Sequence, residues 1–468
     1  MSKRKKKTNR RSERDLRLDA LTPEGRTREV VWTSQTSDFT IDATQRLGLR
    51  SVGREMQDNF ALAAFAIRIH TANLSRYRLS VDTNDQGFNR RLEALFADWA
   101  ETPEKCDVAR RRNFNELLRL IELLRVREGD VGVLRLKNNA IQVVEGDRIR
   151  NEGPIIDDAR KRGETWIQGV RVAESGRPLA YNLCRRRPYG GYEQERVVSA
   201  DYFDLVGYYN AVDQIRGVSP LTAALLPFAQ IYDAQKLALA RMKIEQLIGF
   251  VTYEEAATAC NQFGSLRKIA EDGDGSKRFA ESFGSGAHHL RLNSTDRFET
   301  VQAAAPGSNF QPFLEFCIRV ALAALDIPYS FLKGSDVNFY GSRGELNNYV
   351  NGCRQKQEGM RVFLNRLFRW LCRYWVLTGA IEFPPGLTVE NLPFTWIGAS
   401  VPWWRLIDDA KGLVLATKAG LLNLEDVANW HQTELYENVE RNAFAVEFAR
   451  AKGFPLAIDP NLQTNVGL

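Results

Sequence analysis

SNFQPFLEFCIRVALAALDIPYSFLKGSDVNFYGSRGELNNYVNGCRQKQEGMRVFLNRLFRWLCRYW, residues 308–375, predicts a helix, a long polar loop and a second, much longer helix. In the first helix, Phe310 to Leu325, apolar residues recur at three- and four-residue steps: Phe310, Phe313, Leu314, Cys317, Val320, Ala321, Ala324 and Leu325. That spacing stacks side chains on one helix face, and Glu315 and Arg319 fall away from it. Ile327-Pro328 ends the helix, because proline pushes the residue before it out of the helical region. The loop Asp326 to Gly344 carries glycines at 334, 341 and 344, with Lys333, Asp336, Asn338 and Arg343 among them. A polar loop of that length inside a compact chain is more often functional than a plain connector. The second helix, Glu345 to Trp375, starts polar nearly all round and ends apolar and aromatic, so its end must be packed.

Around this stretch the chain divides readily. Residues 1–45 open with the basic run KRKKK and are otherwise Ser/Thr-rich, the composition of a solvated tail or of an electrostatic contact with an acidic partner. Helices follow at 87–129, where Asn113 is placed to cap the second, and then strands: a hairpin around Asn138-Asn139 and another across Glu174-Ser175-Gly176. Ser219-Pro220 starts a long helix with the stripe Leu221, Leu225, Phe228, Tyr232, Leu237, Met242 and Leu247, in which Pro227 sits as a potential bend. From 253 to 306 the sequence is small, polar and Gly/Ser-rich, read as one helix and a hairpin. Strand-like sequence and a C-terminal helical block close the chain. The expected fold class is α+β, predominantly helical.

Composition excludes more than it proposes. With 468 residues, 44% apolar and 26% charged, the chain is of ordinary globular make-up and long enough for two to four lobes. The net charge of +6 is concentrated in the N-terminal run, leaving a near-neutral body. Six scattered cysteines without a CxxC pair fit reduced thiols, and no apolar run reaches the ~18 residues of a membrane span. No signal peptide is evident, so a soluble chain made inside a cell is expected. There is no phosphate-binding GxxxxGK[ST], no HExxH, no GxSxG and no dinucleotide fingerprint. DGDGS at 272–276 lacks the acid spacing of a calcium loop, and His288-His289 has no further ligand in pattern. The Arg185-Arg186-Arg187 run suits either phosphate or a solvated strand end. Neither catalytic residues, metal ligands nor a cofactor are expected, and a structural or assembly role is favoured.

Taken in order, ADWAETPEKCDVARRRNFNELLRLIELLRVREGDVGVLRL, VVEGDRI, RGVSPLTAAL and FLEFCIRVALAALDIPYSFLKGSDVNFYGSRGELNNYVNGCRQKQ resemble the portal proteins of tailed bacteriophages, lambda-type branch. The likeness runs from about Arg54 to Lys452, and the chain departs from the family pattern at Tyr202–Leu205, at Asp408–Lys411 and at Tyr340–Arg343. The resemblance implies a wing/stem/clip/crown subunit with a long wing helix following a tunnel loop. By order, 46–252 is wing, 253–270 the first stem helix, 271–306 clip and 307–326 the second stem helix. Residues 327–342 are then the tunnel loop, 343–404 the long helix and return to the wing, 405–452 crown and 453–468 a tail. It implies a homo-oligomeric ring, twelve-fold in the family, passing double-stranded DNA independently of sequence during packaging and ejection. The implied partners are the terminase large subunit, major capsid and scaffold proteins, and head-completion or tail-connector proteins, with no membrane. The implied location is the virion's portal vertex, after assembly in the host cytoplasm. The tunnel-loop residues would be Lys333, Ser335, Asp336, Asn338, Tyr340 and Arg343, with Asn347, Asn351 and Arg354 facing the channel from the helix start. In the loop, Asp336 would offset Lys333, suiting a surface on which DNA must slide. The competing readings are a metal-dependent nuclease subunit, which would need clustered carboxylates such as those at 157–158 and 408–409, and a cellular helical scaffold.

Overall fold

The computed structural model of the protein describes residues 38, 41–153, 163–254, 267–271, 277–283, 287–293, 309–333, 339–398, 406–430, 433 and 435–453. The basic run and residues 454–468 lie outside them, as do the acid pair at 157–158 and Cys260. The first helix, α1 (Ala43–Asn59), begins inside the range read as tail, because Asp42 and Gln45 form a reciprocal capping box that satisfies its first donors. Helices α2 (Ala61–Leu74), α3 (Gln86–Glu101) and α4 (Phe114–Glu128) follow, with β1 (Arg78–Val81) between α2 and α3. Asn113 caps α4 as expected, again through a capping box, with Glu116. Gly129 ends α4 at φ +96°, and a Cβ there would sit 2.7 Å from the Ser219 backbone nitrogen, so glycine is required twice over.

Strands β2 (Asp130–Arg135) and β3 (Ile141–Glu145) pair antiparallel around Asn138-Asn139, where Asn139 takes the left-handed φ of +69°. β8 (Phe203–Gly207) completes that sheet on the other edge of β2. A second antiparallel sheet runs in chain order: β4 (Thr165–Ile167), β5 (Val170–Val172), β6 (Pro178–Arg186) and β7 (Tyr192–Ser199). Its β5–β6 turn is the one read at 174–176, closed by Ala173 N–H to Arg177 O. The two sheets share a small core of Leu134, Val144, Val170, Tyr181, Leu183 and Phe203.

The next helix, α5 (Thr222–Leu247), starts three residues beyond Ser219, whose hydroxyl instead donates to Val126 O at 2.6 Å and accepts from Leu221 N–H at 3.0 Å. Leu221, Leu225 and Phe228 are buried as the stripe predicts, but Leu237 is 71% exposed. Beyond α5 the structure departs from the sequence reading. There β9 (Ile248–Glu254), β10 (Arg267–Glu271), β11 (Lys277–Phe283) and β12 (Ala287–Asn293) form one sheet in the order β10-β11-β12-β9, in which β10–β11 and β11–β12 are hairpin pairs. Strands therefore occupy both ends of the range expected as a helix at 253–270; residues 255–266 lie outside the described set. The physical reason is legible in hindsight: RKIAE, KRFAESF and AHHLRLN are short runs separated by DGDGS and GSG, too brief for helices and punctuated like strands.

Helix α6 (Phe310–Ala323) packs on α5, and α7 (Phe339–Leu377) follows as a 39-residue rod about 58 Å long. One core takes the first half of α7: Tyr349 and Cys353 join Met56, Phe60 and Ile67 of the first helices, Phe228, and Leu322 and Leu325. A second core takes its aromatic end, where Phe363, Leu364, Leu367, Phe368, Leu371 and Trp375 meet Phe88, Leu92, Trp99, Phe114 and Ile121. β13 (Phe394–Ile397) returns antiparallel to β1 and presents Trp396 to that core. The chain ends in α8 (Leu406–Lys418), α9 (Leu424–Trp430) and α10 (Leu435–Ala451). Among the described residues, no helix is long and apolar enough to cross a membrane.

Candidate channel segment

Residues 324–354 lead from the end of α6 into α7, and residues 326–333 are tied to both helices. Asp326, at φ +59°, turns the chain out of α6. Lys356 from α7 reaches back to it, donating to Asp326 Oδ2 at 2.7 Å and to Leu325 O at 3.3 Å, a cation on otherwise orphaned helix-end carbonyls. A short 3₁₀ turn at Tyr329–Phe331 sets Phe331 edge-on to Tyr349 at 5.2 Å, and Ser330 donates to Glu345. The Lys333 Nζ lies 3.1 Å from Glu315 on α6. Gln311 and Lys333 together hold the Glu315 carboxyl below its ordinary range.

Ser335, Asp336 and Asn338 lie outside the described residues, as does the side chain of Tyr340. The loop is shorter than expected at its far end, because α7 begins at Phe339 and runs through Gly341 and Gly344. Each glycine costs a helix about 1 kcal/mol, but extending an existing helix avoids the cost of a new nucleus. Arg343 adds a tether, its guanidinium 2.6 Å from Asp409 Oδ1 in the first turn of α8. Lys333 and Arg343 are thus both engaged with carboxylates of their own chain.

Asn347 and Asn351 are exposed and Arg354 half-buried; separated by four and three residues, they share one helix face. Tyr349, Cys353, Gln357 and Met360 occupy a different, buried face, so the helix start is less polar all round than its composition implies. Deeper in, Arg125 of α4 donates to Lys356 O at 2.8 Å, lies 4.2 Å over the Tyr208 ring and pairs with buried Glu122. That network fixes the roll of α7 against α4.

Next to the segment, α6 corrects one expectation. Ala321, Leu322 and Leu325 are buried, but Phe313, Phe316 and Val320 are 61%, 62% and 47% exposed. The helix is apolar almost all round, and its own chain covers only the side facing α5 and the first core. α5 likewise exposes Leu226, Leu237 and Leu239. The structure also gathers three carboxylates that spacing could not reveal, Glu128, Glu145 and Asp147, with ligand atoms within 4.8 Å of one another. Arg54, Arg127 and Arg186 occupy them at 2.9, 2.5 and 2.7 Å, so they serve as the acidic half of an ion-pair network. Asp409, the other acid singled out for metal chemistry, holds Arg343, and Arg186 of the basic run holds Asp147.

Residues 24–357 match the family described as phage portal protein, lambda family. The chain belongs to the lambda family of phage portal proteins, structural components of the head–tail connector. No curated protein matches it significantly by sequence. Solved structures similar to it include a chain of "Virion of native gene transfer agent (GTA) particle", 11% identical with a TM-score of 0.43, the match covering 83% of this chain and 98% of that one. A chain of "Neck of empty GTA particle computed with C6 symmetry" is 11% identical with a TM-score of 0.47, over 82% of this chain and 92% of that one. A third, from "Neck of native GTA particle computed with C12 symmetry", is 12% identical with a TM-score of 0.35, over 75% and 94%.

Proposed function

We propose that copies of this chain close head to tail into a ring at the portal vertex, and that double-stranded DNA passes through its centre during packaging and ejection. The observation that carries the ring is the exposed apolar surface of one helix pair, Phe313, Phe316 and Val320 on α6 and Leu226 and Leu237 on α5. Two different patches on one subunit suit a heterologous contact, which generates a ring when the rotation closes. In this reading α5 and α6 form the stem, the β9–β12 sheet is the clip, α8–α10 are the crown, and the remaining helices and sheets the wing. Residues 334–338 and the Asn347, Asn351, Arg354 face lie toward the channel. The pairing of Lys333 with Glu315 and of Arg343 with Asp409 supports a sliding surface, since each cation left to neutralise a phosphate adds adhesion. The terminase large subunit, capsid and scaffold proteins, and connector proteins are the partners of such a ring, assembled in the host cytoplasm and carried in the virion.

Negative-stain imaging of the purified chain tests the ring: annular particles with a central hole are expected, and a monodisperse monomer under assembly conditions would overturn it. Shortening 334–338 tests the channel assignment. Rings should still form while DNA packaging or retention fails, and normal packaging would place the channel contact elsewhere.

A further inference from the structure

Behind the first turns of α1 lies a partly open cavity of about 100 Å³ whose wall carries Arg46, Arg50, Arg150 and Arg216. We propose that it binds one small inorganic oxyanion of the phosphate or sulfate class. A space of this size admits a tetrahedral oxyanion.

The charge balance inside the wall is what asks for an anion. Arg50 and Arg216 both lean on one carboxylate, Asp130, at 2.7 Å each, while Arg46 takes Asp38 at 2.8 Å, leaving three buried guanidiniums on two carboxylates. The acids that also line the space are engaged already: Asp147 by Arg186 and by the Tyr192 hydroxyl at 2.7 Å, and Glu152 by Arg150 at 3.6 Å. Arg46 is 4% exposed, and although its terminal nitrogens reach Gly217 O and Asp38, its Nε–H has no partner. Burial and the neighbouring Arg216 lower the Arg46 guanidinium to about 10, and burial lowers Arg50 as well, the strain expected of crowded cations. The first turn of α1 adds the positive end of a helix dipole through Ala43. Guanidinium forks match tetrahedral oxyanions in geometry as well as charge.

Equilibrium dialysis of the full chain against radiolabelled inorganic phosphate, at constant ionic strength, tests the site whether or not the chain is in a ring. Saturable binding of one phosphate per chain is expected, displaced by sulfate and not by matched chloride. Arg46→Gln and the more exposed Arg150→Gln should each weaken it by at least about tenfold. Near-UV circular dichroism identifies a variant that has lost its fold, and Arg150→Gln, away from the Asp38 and Asp130 pairs, carries the test in that case. Absence of saturable binding up to about 10 mM phosphate, or equal binding by wild type and a folded Arg150→Gln, would overturn the proposal and leave the cavity to water.

Discussion

Asp130 has no exposed surface, and its two oxygens accept from Arg50, Arg216 and the Gly217 backbone at 2.7 to 2.9 Å. Burial alone would raise its pKa, but Arg216 and then Arg50 outweigh burial and hold it below the ordinary 3.8. A carboxyl whose folded pKa is depressed stabilises fully above its unfolded value and loses that contribution as the pH falls through the folded one. The denaturation midpoint of the wild type should therefore drop as the solution acidifies below about 3.8, and Asp130→Asn should flatten that part of the curve. At neutral pH the same variant should lose about 3–5 kcal/mol in chemical denaturation, since two buried guanidiniums lose their partner. None of this was legible in the sequence. RGVSPLT read correctly as the approach to a helix, but the Arg216 that opens it pairs with an acid 86 positions away, and no local spacing records such a pair.

The long helix α7 was half legible. Its aromatic end announces burial by composition, and Phe368 indeed packs with Phe96, Trp375, Phe394 and Trp396 at ring distances of 4.8 to 6.4 Å. Phe368→Ala should cost about 3–5 kcal/mol by denaturant titration, with the helix content of the folded state unchanged. Its polar start misled, because Gly341 and Gly344 look like loop residues until a distant acid tethers the turn between them. The Arg343–Asp409 pair is partly solvated, so a double-mutant cycle with alanines should return only about 0.2–1 kcal/mol of coupling. A coupling near zero would mean that the pair does not hold the helix start. The sheet at β9–β12 was legible only as a hairpin: polar, glycine-broken sequence carries a weak period, and hydrogen bonding between strands far apart in order adds the rest.

For the assembled molecule, apolar periodicity alone cannot say whether a helix face is covered by its own chain or by another. Phe313 and Leu237 both fall on apolar stripes and are both exposed in the subunit. Head-to-tail closure makes a sharp forecast here. Phe316→Glu should spoil the α6 patch and Leu237→Glu the α5 patch, and each variant alone should run as a monomer by native mass spectrometry. Mixed together, the two retain one good junction between them and should form heterodimers that grow no further. Rings from either single variant would move the contact to another surface.

The rod formed by α7 has a mechanical consequence. Its aromatic end is clamped by Phe368 in one core, and Phe339 begins 29 residues away, about 44 Å along the axis. A tilt of only about 5° around Phe368 would sweep the first turn of the helix by about 4 Å. Tyr349 and Cys353 act as a bearing partway along, and the Arg343–Asp409 link carries the swing into α8. The rod thus couples the core around Phe368 to the one around Tyr349, and through Arg343 to α8.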